Sequence, residues 1–173
     1  MNKHLFEFFK TISKPNSPYD CNNLQTSLIE RTADAFARNT NQYIYISNAQ
    51  SPEFFYTSGK FERLLGLTAE KVKEMGFRFY LDFVPEEEHR ILYTTFKEGQ
   101  IFLLNQLPAE RTEYNISCDI HVLNGRKKLL VHQTATPILL GRGGMPLFSL
   151  CIMKPSVMHG RSMISASGFF SPF

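Results

Sequence analysis

The sequence predicts an α+β domain, a five-stranded antiparallel sheet with short helices on one face and an amphipathic helix ahead of it. Three observations carry this expectation. Residues 114–122 alternate strictly, with Tyr114, Ile116, Cys118, Ile120 and Val122 on one side and Asn115, Ser117, Asp119 and His121 on the other. That is the period of a half-buried strand. Asn124-Gly125 follows, a hairpin signal because a type I′ turn needs positive φ at both central residues. Ahead of it, glycine-stopped helical stretches stand between this hairpin and two short runs of β-branched and aromatic residues.

Taken in order, the opening MNKHLFEFFK is apolar in places, but Glu7 and Lys10 interrupt it before a signal-peptide core could form. Pro15 and Pro18 forbid a helix through residues 14–18. Asp20, Asn22 or Asn23 then caps a helix in which Leu24, Leu28, Ile29, Thr32, Ala35 and Phe36 recur at spacings of three and four. This stripe must be buried, against its own domain or against a second copy of the chain. Tyr43, Ile44, Tyr45 and Ile46 read as the first strand, and Phe54, Phe55, Tyr56 and Thr57 as the second. Gly66 stops a first short helix and Gly76 a second, which Thr68 caps. Phe77, Phe79, Tyr80, Leu81 and Phe83 form an aromatic patch. Pro85 then opens a longer helix, with Glu86, Glu87 and Glu88 at its positive end and Ile91, Leu92, Thr95, Phe96 and Gly99 on its buried face. Strands over 127–140 and 145–153 complete a meander, joined by Gly141-Arg142-Gly143-Gly144. The domain division is an N-terminal extension with capping helix over 1–41, the sheet domain over 42–155 and a flexible tail or linker over 156–173.

Composition narrows the function. At 173 residues, 43% hydrophobic and 20% charged, the chain suits one ordinary domain. A net charge of +3, with Arg126, Lys127 and Lys128 as the best basic cluster, predicts no direct nucleic-acid contact. No window approaches the roughly 20 apolar residues of a membrane helix. The three cysteines, Cys21, Cys118 and Cys151, show neither pairing nor metal-ligand spacing. Free thiols in the cytoplasm are expected.

With Asn124-Gly125 as the loop, Ile120 faces Leu129, Cys118 faces Val131, Ile116 faces Gln133 and Tyr114 faces Ala135. Tyr114, Ile116, Cys118, Ile120, Leu129, Val131 and Gln133 then share the face that the helices cover, and a ligand pocket is expected there. Gln133 stands out as an amide among apolar neighbours. It either orients a ligand or hydrogen-bonds a helix backbone or a water. On the opposite face His121 is expected opposite Lys128 and His132 opposite Ser117, too far apart to share a metal ion. That face reads as wet or dimer-facing.

The order and lengths resemble the PAS family over about residues 43–155. YIYISN resembles the first PAS strand, and FFYTSGKFERLLGLTAEKV the second strand, the turn after it and the Leu-Gly step before the next helix. FRFYLDFVPEEEHRIL resembles the aromatic-Pro-acidic approach to the long helix. The chain departs at Ser58-Gly59-Lys60, where many members carry Asn-Pro. The resemblance implies a sensory module that dimerises through a helix ahead of the sheet, here by Leu24, Leu28 and Phe36. It also resembles the PAS parts of bacterial LuxR-type transcriptional regulators, whose DNA-binding helices are not among these residues. Haem-binding members use a histidine on the long helix, where this chain has His89. His89 follows three glutamates in a first turn and is expected to be solvated. The flavin photoreceptors of the family carry an Asn-Cys-Arg-Phe box, and GFRFYLD has no cysteine there.

Catalysis finds no support, since GxSxG, P-loop, HExxH and GxGxxG patterns are all missing from the sequence. The expected function is a cytoplasmic, non-catalytic PAS sensor that binds a small apolar ligand or none, acts as a homodimer, and regulates transcription through an output region outside these residues. The alternatives are a ligand-free interaction module and a haem- or other cofactor-binding protein.

Overall fold

The almost wholly apolar run Pro146–Pro155 occupies the middle of the sheet, where a strand is covered on both faces and has no polar side to present. The computed structural model describes residues 3–12, 23–156 and 169–172. Helices α1 (Lys3–Ile12) and α2 (Asn23–Asn39) precede strands β1 (Tyr43–Asn48) and β2 (Phe54–Thr57). Three short helices follow, α3 (Phe61–Leu65), α4 (Ala69–Met75) and α5 (Arg78–Phe83), and then the long α6 (His89–Asn105). Strands β3 (Tyr114–Asn124), β4 (Lys127–Leu140), β5 (Pro146–Pro155) and β6 (Phe169–Pro172) complete the described chain. The sheet order is β2-β1-β5-β4-β3-β6, with every pairing antiparallel. The five expected strands are present in the expected α+β arrangement. β6 is an addition. It pairs with Tyr114–Ser117 at the edge that β3 would otherwise expose, so part of the expected flexible tail is strand. The proline break at 14–18, the caps Asp20 and Asn22, Cys21 and residues 157–168 lie outside the described residues.

The hairpin register differs from the expected one. Asn124 pairs with Lys127, so the two-residue loop is Gly125-Arg126. Gly125 takes φ +58°, and no described non-glycine residue has positive φ. Asn124 therefore stays in the strand, and glycine at the first central position gives a type II′ pattern rather than I′. Each β3 residue consequently sits two positions further along β4. Cys118 faces Gln133, Ile120 faces Val131 and Ile116 faces Ala135. Because the shift is even, every side chain keeps its expected face.

The inner face packs Tyr45, Cys118, Ile120, Val131 and Cys151 against helical Phe61, Val72, Phe79, Tyr80 and Leu92. Helix α1 joins this core. Leu5 and Phe9 are buried in it, and Phe9 stacks on Phe77 with ring centroids 4.8 Å apart. Burying two such side chains contributes about 1.5–3 kcal/mol each, so the core draws on residues well ahead of position 42.

Helix α2 lies on the outer face, where Ala33 and Ala37 are buried with Ile44, Ile46, Tyr56 and Phe148, and Ile29 packs alongside. Small alanines let the helix lie close to the sheet. The expected stripe is thus split: Ile29 turns to its own domain, while Leu24, Leu28 and Phe36 are 82%, 66% and 42% exposed. Thr68 caps α4 as expected, accepting from the Lys71 N–H at 3.3 Å. Two of the three glutamates reach across to the sheet hairpin. Glu87 pairs with Lys128 at 2.8 Å, and Glu88 accepts from the His121 backbone N–H at 2.7 Å.

His89 corrects another expectation. It is 2% exposed, not solvated. The residues Glu86–Glu88 form a separate 3-10 turn that takes the exposed position, so α6 begins at His89 with its ring turned inward. Its Nε2 lies 2.9 Å from the Val84 carbonyl oxygen, tying the start of α6 to the end of α5.

Candidate functional site: a cavity between the long helix and the sheet

A cavity of about 600 Å³ opens where α1 and α6 span the inner sheet face. The sheet supplies Ile116, Ala135, Pro137, Ser149 and Cys151, with Ser47 from β1. Opposite them stand Tyr93, Phe96, Lys97, Gln100 and Leu103 of α6, Phe8 and Thr11 of α1, and Phe77. The turn between β4 and β5 closes one end with Gly141, Arg142 and Met145. The space exists because aromatic packing holds the two helices together above the sheet. Phe8 meets Tyr93 edge-on at 5.5 Å and Phe9 meets Phe96 at 6.0 Å, so the helices brace each other instead of collapsing onto small Ala135 and Ser149.

One buried cation fixes the closing turn. Arg111, 7% exposed, donates from Nη1 to the Gly144 carbonyl at 2.7 Å and the Gly143 carbonyl at 3.3 Å. Its Nη2 donates to the Leu104 carbonyl at 3.0 Å and its Nε to the Gln106 carbonyl at 3.2 Å. The last two acceptors are at the negative end of α6, which favours a cation without a carboxylate partner. Arg111 thereby ties the end of α6 to the turn that carries Arg142.

Of the residues expected on the pocket face, Ile116 lines the cavity. Cys118, Ile120, Val131 and Gln133 are buried in the solid part of the core, and Tyr114 packs edge-on against Phe102 at 5.2 Å. The inner face is continuous, but its hairpin half lies under α3–α5 and leaves no space. Gln133 does have a helix partner. It hydrogen-bonds the Tyr80 side chain, Tyr80 hydrogen-bonds Tyr45 through their hydroxyls, and the Gln133 Oε1 has no partner among the described residues. Burial raises both phenols well above their ordinary value, with Cys151 adding to the effect on each. Sequence reasoning missed Phe8 by treating the N-terminus as an extension, and Arg142 by treating its glycine-rich surroundings only as a turn. Phe96, expected on the buried face of the long helix, was the signal that pointed to this wall.

The two sheet histidines also shift with the register. His121 faces Leu130 and His132 faces Asp119. Each contacts its own carboxylate, Glu88 at 2.6 Å for His121 and Asp119 at 2.8 Å for His132. Among the described residues no group of three or more His, Cys, Asp and Glu could hold a metal ion.

No family model matches the chain, and no curated protein matches it. Solved structures do. A PAS domain from Colwellia psychrerythraea superposes with a TM-score of 0.53 at 12% identity, covering 75% of this chain and 97% of that one. The chain has the PAS fold. A Rhodobacter sphaeroides LOV protein superposes with a TM-score of 0.58 at 13% identity, over 80% of this chain and 70% of that one. The N-terminal domain of a diguanylate cyclase with a PAS/PAC sensor from Marinobacter aquaeolei gives 0.52 at 13%, over 66% and 94%. In this PAS fold β1 and β2 join the C-terminal meander through β5, which sets Ser47 beside Ser149 at the cavity wall. Among the described residues, no helix is long and apolar enough to cross a membrane.

Proposed function

We propose that the chain is a non-catalytic sensory and signal-transduction module of the PAS type, working in the cytoplasm, whose cavity between α6 and the sheet holds a small ligand. The observation that carries this reading is the cavity itself. Its volume of about 600 Å³ lies within the range of small-molecule sites, and its walls are largely apolar with a few polar groups at the edge. Signalling follows by population shift. A ligand that contacts α1, α6 and the sheet together favours one packing of these elements, and that preference passes to whatever they adjoin. The output is transcription regulation of the LuxR type, through a region beyond these residues, a reading that rests on the sequence resemblance.

The haem ligation and the flavin photoadduct that the resemblance brings to mind lack their residues at the expected places. His89 does not line the cavity, and its Nε2 is engaged by Val84, so it is poorly placed as a haem ligand. Residues Arg78–Phe83 offer no cysteine to a flavin. A second reading, a dimerisation module, is favoured by Leu24, Leu28 and Phe36, which form an exposed apolar stripe on α2. The two readings are compatible, since α2 and the cavity lie on opposite sheet faces.

The test is extraction. Purified protein is denatured, and released small molecules are compared with those from Ala135→Leu, which fills the cavity from the sheet side. A compound released by the wild type and missing from a folded Ala135→Leu supports the sensor. No released compound, with the dimer intact, supports the ligand-free module instead.

A further inference from the structure

We propose that the ligand of this cavity is an organic carboxylate with an apolar, ring-sized body, its head held between Lys97 and Arg142; this rests on reading the cavity as a ligand site. Lys97 and Arg142 are the two charged side chains in the described lining, and no Asp or Glu accompanies them. They come from different elements, α6 and the β4–β5 turn, and both border the same space. Among the described residues neither has a carboxylate within ion-pair distance, so both are available to an anion at the cavity. Lys97 is instead held over the Tyr93 ring, 5.8 Å from its centroid, against another lining residue.

The backbone at Arg142 is held in place, because Arg111 anchors the two residues after it through their carbonyls. Gln100 lies beside Lys97 in the lining, one helical turn on, and can donate a hydrogen bond to the same head group. Behind these polar groups the walls are aromatic and aliphatic, with Phe8, Phe77, Phe96 and Leu103 prominent. Both heads reach solvent, so a neutral apolar ligand gains nothing from them, whereas a cationic one meets repulsion from both. A carboxylate head satisfies them while its body takes the apolar space.

The experiment is calorimetric titration of the full chain with three probes of one shape: 2-naphthylacetate, 2-naphthaleneethanol and 2-(2-naphthyl)ethylamine. The acetate is expected to bind about five- to tenfold tighter than the alcohol, the gain available from two partly screened charge-assisted contacts. The amine should bind weakest. Raising salt to about 0.5 M should shrink the preference. In the double variant Lys97→Gln/Arg142→Gln, whose sites are exposed and tolerant of change, acetate and alcohol should bind equally, with alcohol binding retained. Alcohol or amine binding as tightly as acetate, a preference that survives the double variant, or binding of none of the three would each overturn the carboxylate assignment. The cavity reading is scored separately, by native mass spectrometry of the protein as purified. A retained neutral or cationic compound leaves that reading standing while this one falls.

Discussion

Cys118 and Cys151 show what the inner sheet face does to a single side chain. Burial pushes both thiols up from 9.0 to about 12. A raised pKa in the folded state means that the folded protein keeps the proton that the unfolded chain releases. The stability linked to these protons is therefore complete below pH 9 and is lost as pH rises through the window between 9 and 12. The urea midpoint should thus hold from neutrality to about pH 9 and fall steeply above it. A midpoint as high at about pH 11 as at neutrality would show that the thiols are not shielded. The same burial should keep both thiols slow toward a thiol reagent at about pH 8 in a Cys21→Ser background, until denaturant is added. Tyr45 and Tyr80, raised by the same cause, steepen the alkaline loss.

At the scale of elements, α2 carries two apolar surfaces and its own domain uses one. Ile29, Ala33 and Ala37 meet the outer sheet face. Leu24 and Leu28 project outward, one turn apart. The periodicity in the sequence revealed the helix but could not divide these surfaces, because either is amphipathic at spacings of three and four. If the outward stripe forms the proposed homodimer, Leu24→Glu/Leu28→Glu should weaken dimerisation by about 100-fold or more in sedimentation equilibrium, because it brings carboxylates from both copies into a formerly apolar contact. An unchanged association constant would remove α2 from the interface. The hairpin teaches a related lesson. Asn124-Gly125 announced the turn, but the loop begins one residue later because only Gly125 adopts positive φ. The turn was legible, and its exact phase depended on which backbone conformation the strands impose.

Across the whole molecule, the strand–helix–meander order was legible because alternation, glycine stops and the proline ahead of the long helix are local signals. The cavity was not. It depends on α1 returning to brace α6 through Phe8 and Phe9, a contact between segments more than 80 residues apart that no local pattern encodes. His89 was misread for a similar reason, since its burial follows from the short turn at Glu86–Glu88 that rotates the helix start. The cavity opens on the sheet face where a pocket was expected, and of the residues expected there Ile116 borders it. What the cavity binds is best located residue by residue. Titrating ¹⁵N-labelled protein with 2-naphthylacetate should shift the amide signals of Phe96, Lys97, Gly141, Arg142 and Ser149 and leave those of Leu24, Ile44 and His132 in place. Shifts confined to α2 or the outer sheet face, or no shifts at all, would contradict a ligand site between the long helix and the sheet.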